Sequence, residues 1–189
     1  MTEQNIIVKY VPNFVTLLSL SSGFTSISFS LNKEWEIAIY LILLATVFDF
    51  FDGWFARKLK SGSNFGAELD SLSDFVSFGV APSVLIYLWS TNSLGSLGWG
   101  ATLFFVICSS LRLARFTADI YITNKPIDDN EYFVGIPSPA AAGLILLPLF
   151  IFFEFNIEFI KNEYLKLFST IFVGFMMISK IPTLSLKKN

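Results

Sequence analysis

Four aspartates lie within long apolar stretches of the sequence, where an ionised side chain is costly. Asp49 and Asp52 belong to one stretch, and Asp70 and Asp74 belong to the next. A charged side chain at the centre of a membrane helix costs about 2.5–3.5 kcal/mol on insertion scales, so these carboxylates need a compensating partner. One or two divalent cations would relieve their mutual repulsion, and ligation by oxygen alone suits Mg²⁺, Mn²⁺ or Ca²⁺.

Small residues share helix faces with these aspartates. At about 100° per residue, Asp52, Gly53 and Ala56 fall about 60°, 40° and 20° from Asp49. The second stretch has a narrow face of small and acidic residues, since positions four apart meet on a helix. Its members are Gly66, Asp70, Ser73, Asp74 and Ser77. Two helices joined by a short connection can therefore bring the four carboxylates together.

Arg57 adds a phosphate-binding group beside the aspartates. It lies about 80° round the helix from Asp49 and can reach an anionic phosphate. Metals, a phosphate clamp and a spare carboxylate acting as base are the parts of a phosphoryl-transfer site. The glycines and Ala56 could instead serve helix packing, and the aspartates could serve a cation transporter or a proton relay. Arg57 disfavours a path for cations.

The composition predicts an all-α integral membrane protein. Hydrophobic residues make up 53% of the 189 residues and charged residues only 15%, and the mean hydropathy is +0.62. Soluble domains carry about a quarter charged residues. The absence of histidine and the single cysteine, Cys108, exclude His-based zinc sites, Ser-His-Asp triads and internal disulfides. A net charge of −2 argues against a nucleic-acid partner.

Six apolar runs are long enough to cross a membrane. They predict helices near residues 13–31, 36–58, 66–89, 97–120, 138–155 and 162–180. The first is expected to begin after Pro12, because proline fits the first turn of a helix. Ten of the 13 Lys and Arg residues fall on one side of these spans, so both termini are expected to face the cytoplasm. We expect a single membrane domain over residues 1–189.

The spacing of the polar and small residues resembles the signature of the CDP-alcohol phosphotransferases. The eight matching positions over 26 residues are Asp49, Asp52, Gly53, Ala56, Arg57, Gly66, Asp70 and Asp74. The resemblance implies a six-helix membrane enzyme, commonly a homodimer, in which an acceptor hydroxyl displaces CMP from a CDP-linked donor. It also implies two divalent metal ions, Mg²⁺ or Mn²⁺, held by the four aspartates, with Asp74 as the base. Gly53, Ala56, Arg57 and Gly66 would bind the CDP moiety.

Further segments are similar to the membrane-type phosphatidylserine synthase branch of that family. They comprise residues 65–82, 112–116 and 135–143, with Pro12, Asn13 and Thr16 near the start. The branch implies CDP-diacylglycerol as the donor and L-serine as the acceptor, at the cytoplasmic membrane. Glycerol phosphate or inositol phosphate remains an alternative acceptor, although a dianionic acceptor would call for additional cations around the site.

Three residues in these segments are candidates for binding the serine carboxylate. Arg112 and Arg115 lie about 60° apart on one helix, and a guanidinium pairs with a carboxylate in a forked geometry. Ser138 before Pro139 predicts a helix N-terminus, whose positive dipole favours an anion. The arginines could instead anchor the membrane edge, with Arg115 paired to Asp119, and Ser138 could simply cap its helix.

Overall fold

The protein is a helical bundle, seen here in a computed structural model that describes residues 3–59, 63–123, 133–155, 162–179 and 182–183. The α-helices in these ranges are α1 Glu3–Leu31, α2 Trp35–Lys58, α3 Asn64–Asp74, α4 Ala81–Trp89, α5 Ser96–Thr123, α6 Ser138–Phe155 and α7 Glu163–Ile178. A π-helix, Phe75–Val80, joins α3 to α4, and a 3₁₀ turn, Thr91–Leu94, precedes α5. Two short strands, β1 Phe133–Val134 and β2 Pro182–Thr183, pair antiparallel.

Five helical segments in the described residues are long and apolar enough to span a membrane. They are Tyr10–Leu31, Trp35–Lys58, Asn64–Trp89, Ser96–Ala118 and Ser138–Phe155. The prediction of an all-α, multi-pass membrane protein is therefore confirmed. The count of six is not fully confirmed, because α7 has only 16 residues. At 1.5 Å per residue such a helix is about 24 Å long, shorter than a hydrocarbon core of about 30 Å.

The start of the first helix differs from the sequence prediction. Helix α1 begins at Glu3, and Pro12 lies inside it rather than in its first turn. Membrane helices tolerate internal proline because nearby groups satisfy the backbone atoms that it frees. The Thr16 hydroxyl, one turn further along α1, donates to the carbonyl of Pro12 at 3.0 Å, which adds a bond within the helix but does not replace the one lost at the proline nitrogen. Proline alone therefore does not mark the beginning of this helix.

The third predicted span is a continuous helical rod with a π-helical interruption. Helix α3 begins after Ser63, whose side-chain oxygen accepts a hydrogen bond from the Gly66 backbone N–H at 3.1 Å. The π-helix starts directly after Asp74, and α4 completes the rod. π-helical turns are rare, and many of those that do occur lie at functional sites. Here the turn lies immediately beside the aspartates on α3.

The bundle core lies around the rod. Phe78 of the π-helix and Leu85 of α4 are fully buried, together with Phe105 of α5 and Leu149 of α6. Large apolar side chains on the outer faces of the helices are exposed, as expected for surfaces that contact lipid. Small residues allow close helix contacts, as is common between membrane helices. For example, a Cβ added at Gly23 of α1 would overlap Ser77.

Candidate active site

Three of the four aspartates meet where α2 faces the end of α3. One carboxylate oxygen from each of Asp49, Asp70 and Asp74 lies within 4.8 Å of the other two. We call these three carboxylates the acidic cluster. Asp49 comes from α2, whereas Asp70 and Asp74 stand one turn apart on α3, so both point to the same side of that helix. The structure thus joins the two aspartate pairs that the sequence separates by a short connection.

Asp52 extends the acidic group along α2. It is only 4% exposed and lines the same cleft as Asp70, although it is not part of the three-oxygen cluster. Among the described residues, Asp52 Oδ2, Asp70 Oδ1 and Asp74 Oδ1 are buried and accept no hydrogen bond from the protein. Burying an unpaired carboxylate is costly. A divalent cation takes carboxylate oxygens as ligands, so this donor set fits the metal that the resemblance implies.

A cleft of about 230 Å³ opens beside the aspartates. Helices α1, α2, α3 and α5 all contribute to its wall. Its lining comprises Pro12, Asn13, Thr16, Asp52, Gly53, Ala56, Arg57, Ser63, Gly66, Ala67, Asp70 and Phe116. We call this the aspartate cleft. All four residues to which the resemblance assigns CDP binding line it, namely Gly53, Ala56, Arg57 and Gly66.

The two glycines in the aspartate cleft, Gly53 and Gly66, leave space that a side chain would fill. A Cβ added at Gly53 would lie 3.3 Å from Nη1 of Arg57, and one added at Gly66 would lie 3.0 Å from Oδ1 of Asn13. Contacts this short are tighter than ordinary van der Waals packing. The lack of a side chain at Gly53 therefore lets the Arg57 guanidinium lie close to the backbone of α2.

Several cleft residues had no role assigned from the sequence. Asn13 and Thr16 come from α1, and Phe116 comes from α5. The first two belong to the N-terminal pattern noted in the sequence, but helical spacing within α2 and α3 could not show that α1 closes the same cleft. Phe116 ends the segment 112–116 noted in the sequence, but nothing in the sequence assigned it to this cleft.

The two candidate arginines, Arg112 and Arg115, have different surroundings in the structure. Nη1 of Arg112 donates to Oγ of Ser138 at 2.6 Å, and Ser138 is fully buried at the start of α6. Nε of Arg112 is buried without a partner in the described part of the chain, and its guanidinium attracts the Asp74 carboxylate. Arg115 is exposed, and its Nη1 is 3.5 Å from the carbonyl oxygen of Ile178. The side chain of Asp119, proposed as a partner of Arg115, lies outside the described residues.

Together, the bundle and the aspartate cleft define a multi-pass membrane protein with an oxygen-lined site suited to divalent metals and phosphate. Residues 9–181 match the family described as CDP-alcohol phosphatidyltransferase. The chain belongs to this family, which confirms the resemblance seen in the motif. Members of the family generally depend on divalent metals.

The chain is also similar to proteins named CDP-diacylglycerol–serine O-phosphatidyltransferase. The Mycobacterium leprae protein is 37% identical over 175 residues, covering 93% of this chain and 58% of the relative. The Bacillus subtilis protein is 34% identical over 182 residues, covering 96% and 94%. The Methanocaldococcus jannaschii protein is 36% identical over 171 residues, covering 90% and 72%. The chain spans less than two thirds of the mycobacterial relatives' length.

Proposed function

We propose that this protein is a CDP-diacylglycerol–serine O-phosphatidyltransferase. It would transfer the phosphatidyl group from CDP-diacylglycerol to the hydroxyl of L-serine and release CMP. The observation that carries the proposal is the meeting of Asp49, Asp70 and Asp74 beside a cleft that contains Gly53 and Arg57. Similarity to bacterial and archaeal proteins of that name supports the choice of substrates.

The donor's CDP group occupies the aspartate cleft, while its acyl chains remain in the bilayer. Gly53, Ala56 and Gly66 leave room for the nucleotide close to the backbone of α2 and α3. Arg57 stands at the end of α2, where its guanidinium donates to a phosphate oxygen. These groups fix the pyrophosphate next to the acidic cluster.

Asp49, Asp52, Asp70 and Asp74 would hold two divalent ions, Mg²⁺ or Mn²⁺. When bound, such ions polarise phosphoryl oxygens and stabilise the charge that develops on the departing phosphate. The four carboxylates come from α2 and α3, and buried oxygens on three of them have no hydrogen-bond donor among the described residues. This arrangement supports the metal assignment.

The reaction is a direct displacement at phosphorus. Asp74 accepts the proton of the serine hydroxyl, whose oxygen then bonds to the phosphorus that carries the lipid. The bond from that phosphorus to the bridging oxygen breaks, and CMP leaves with this oxygen. The motif contains no cysteine or histidine to form a covalent intermediate, so a single displacement is the simplest route.

Arg112 holds the serine carboxylate in this proposal. Its Nη1 is fixed by Ser138, its buried Nε is without a partner among the described residues, and it lies near the proposed base, Asp74. The N-terminus of α6, which begins at Ser138, adds a favourable dipole for an anion. Arg115 is the weaker candidate, because it is exposed and faces a backbone carbonyl at the end of α7.

We further propose that the single membrane domain works as a homodimer in the cytoplasmic membrane, with both termini and the aspartate cleft facing the cytoplasm. The distribution of Lys and Arg supports the orientation. The family resemblance supports the dimer.

The decisive experiment measures CMP release from CDP-diacylglycerol by the purified protein. Serine, glycerol 3-phosphate, inositol and inositol phosphate are offered separately as acceptors. We expect release that depends on serine. Release with glycerol 3-phosphate or inositol phosphate but not with serine would move the assignment to that acceptor. Cation uptake into vesicles without CMP release would favour a transporter, which Arg57 in the cleft argues against.

A further inference from the structure

Helix α1 carries no aspartate of the motif, yet one of its residues is bonded both to α2, which carries Asp49, and to the π-helix that directly follows Asp74. Ser19 Oγ donates to the carbonyl of Ala45 on α2 at 2.9 Å. The carbonyl of Ser19 in turn accepts from Oγ of Ser77 in the π-helix at 3.2 Å. Ala45 precedes Asp49 by one turn, and Ser77 follows Asp74 by three residues. Ser19 therefore links the backbones on which two members of the acidic cluster stand.

A second contact reinforces the junction between α1 and the rod at the same level. Oγ of Ser73, the residue before Asp74, donates to the carbonyl of Thr16 at 3.2 Å. One turn along α1 from Ser19, Gly23 allows such close approach that a Cβ there would overlap Ser77. Small residues such as these let two helix backbones approach closely and pack tightly.

These hydroxyls differ from others in α1 that bond within their own helix. Ser26 Oγ, for example, donates to the Gly23 carbonyl at 2.8 Å and makes no bond to another helix within the described part of the chain. Ser19 and Ser26 are equally buried, at 1% and 0% exposed, so burial does not distinguish them. What distinguishes them is the helix to which the hydroxyl is bonded.

We infer that Ser19 is a positioning residue that, with Ser77, sets the separation between Asp49 on α2 and Asp70 and Asp74 on α3. The inference rests on the proposed metal site. A metal ion needs its ligand oxygens at fixed distances, so a small shift between α2 and α3 changes its affinity. Ser19 is not among the residues that line the aspartate cleft, so it would act through the helices that it joins.

The test measures Mn²⁺ binding by purified protein in detergent, from the loss of the free-ion electron paramagnetic resonance signal. Ser19→Ala removes the bond to α2, and Ser26→Ala is the matched control on the same helix. Interhelical hydrogen bonds in membranes typically have modest energies, which correspond to roughly three- to tenfold in affinity. We expect Ser19→Ala to weaken Mn²⁺ binding by that factor and Ser26→Ala to leave it unchanged.

A second pair of variants tests the other side of the junction if Ser19→Ala fails to fold. Ser77→Ala removes the bond from the π-helix to α1. Ser83→Ala is its control, because Ser83 donates to the Val80 carbonyl at 2.8 Å, three residues before it in the same rod. Weaker Mn²⁺ binding is expected for Ser77→Ala alone. The thermal unfolding temperature of each metal-free variant is measured in parallel, because a purely structural role would lower it without changing Mn²⁺ affinity.

The outcomes separate this inference from the proposed function. Mn²⁺ affinity in Ser19→Ala and Ser77→Ala equal to that of their controls would overturn the positioning role while leaving the metal site intact. An equal loss in all four variants would also overturn it, since bonds between helices would then have no special effect. Failure of the unsubstituted protein to bind Mn²⁺ would overturn both the metal site and the role of Ser19.

Discussion

Asp74 is the proposed base, and its carboxylate is buried among other charged groups. Its carboxylate belongs to the acidic cluster, its Oδ1 is buried without a partner in the described structure, and Arg112 attracts it. Asp74→Asn keeps the side-chain volume but cannot accept the serine proton. We expect turnover to fall roughly 10²- to 10⁴-fold, the usual contribution of a general base. CMP release by the purified variant measures this loss.

Asp70→Asn removes a proposed metal ligand but leaves the proposed base, Asp74, in place. It should also lose activity, but through weaker metal affinity, so part of the loss should be recovered at high Mn²⁺. Both variants should elute from size exclusion in detergent as the unsubstituted protein does. Activity of the unsubstituted protein should vanish with excess chelator and return with Mg²⁺ or Mn²⁺. Full activity in chelator would contradict the metal assignment.

Gly53 tests whether the aspartate cleft binds the donor. In Gly53→Ala the new methyl group would lie 3.3 Å from Nη1 of Arg57, so the guanidinium would have to shift by a few tenths of an ångström away from its position in the cleft. We expect the KM for CDP-diacylglycerol to rise several-fold while the KM for serine changes little. Gly143→Ala is the control, because a Cβ there meets no described atom within 4 Å. Equal effects of both substitutions would argue against a specific role for Gly53.

Arg112 and Arg115 are distinguished by replacing each with lysine. Arg112→Lys keeps the charge but loses the forked geometry, so serine use should weaken. The loss of a charge-assisted hydrogen bond costs about 1.5–3 kcal/mol, or roughly ten- to a hundredfold in apparent affinity. Arg115→Lys should change the serine requirement little. Serine titrations at saturating donor measure both.

If neither lysine variant shifts the serine requirement, the arginines are anchors rather than ligands. The start of α6 at Ser138 then becomes the leading candidate for the carboxylate site. A larger effect from Arg115→Lys than from Arg112→Lys would contradict the order of importance given by the hydrogen bonds.

Among the secondary-structure elements, the apolar runs in the sequence predicted the positions of most helices. They did not predict where an α-helix changes to a π-helix. The fifth predicted span matches α6, Ser138–Phe155, at both ends, because Ser138 and Pro139 mark its start clearly. The π-helix Phe75–Val80 has no comparable signal, since its apolar residues suit an α-helix equally well. The bond between Arg112 and Ser138 depends on how α5 and α6 rotate against each other, which periodicity within one helix cannot specify.

A buried lysine on the short helix α7, Lys166, contacts the end of α4 at Trp89 and Ser90. Nζ of Lys166 donates to Oγ of Ser90 at 2.6 Å and lies 3.9 Å from the centre of the Trp89 ring. Lys166→Ala should lower the free energy of unfolding by about 1–3 kcal/mol, because a desolvated cation–π contact and a charged hydrogen bond are lost. Thermal unfolding in detergent measures the change.

Lys58→Ala provides the control for this prediction. Lys58 also lies over a tryptophan ring, with Nζ 4.3 Å from the centre of Trp54, but both residues are exposed. Its removal should have little effect, since water screens such contacts. A similar loss of stability in the two variants would show that burial of Lys166 adds nothing to its contact with Trp89.

For the molecule as a whole, the aspartate cleft requires helices that are far apart in the sequence. The motif on α2 and α3 predicted the acidic cluster, because all of its residues lie within one helix–loop–helix segment. The contributions of Asn13 from α1 and Phe116 from α5 depend on the packing of the entire bundle. The sequence therefore identified the polar centre of the site but not the walls that enclose it.

The orientation of the bundle can be tested by labelling cysteines from each side of the membrane. The native Cys108 is fully buried, so it should react slowly with a membrane-impermeant thiol reagent, and Cys108→Ser gives a background without any cysteine. Ten of 13 Lys and Arg residues fall on one side of the predicted spans. Cysteines replacing Gly62, before α3, and Thr123, at the end of α5, should therefore be labelled from the cytoplasm.

A cysteine replacing Ser93, in the exposed turn between α4 and α5, should be labelled only from the opposite side. The reason is geometric, since the rod from Asn64 to Trp89 has 26 residues and reaches about 39 Å, enough to cross the bilayer once. Labelling of Gly62 and Ser93 positions from the same side would mean that the rod does not cross. Labelling of Ser93 from the cytoplasm and Gly62 from outside would invert the orientation and place the aspartate cleft, which Ser63 and Gly66 at the start of α3 line, away from cytoplasmic serine.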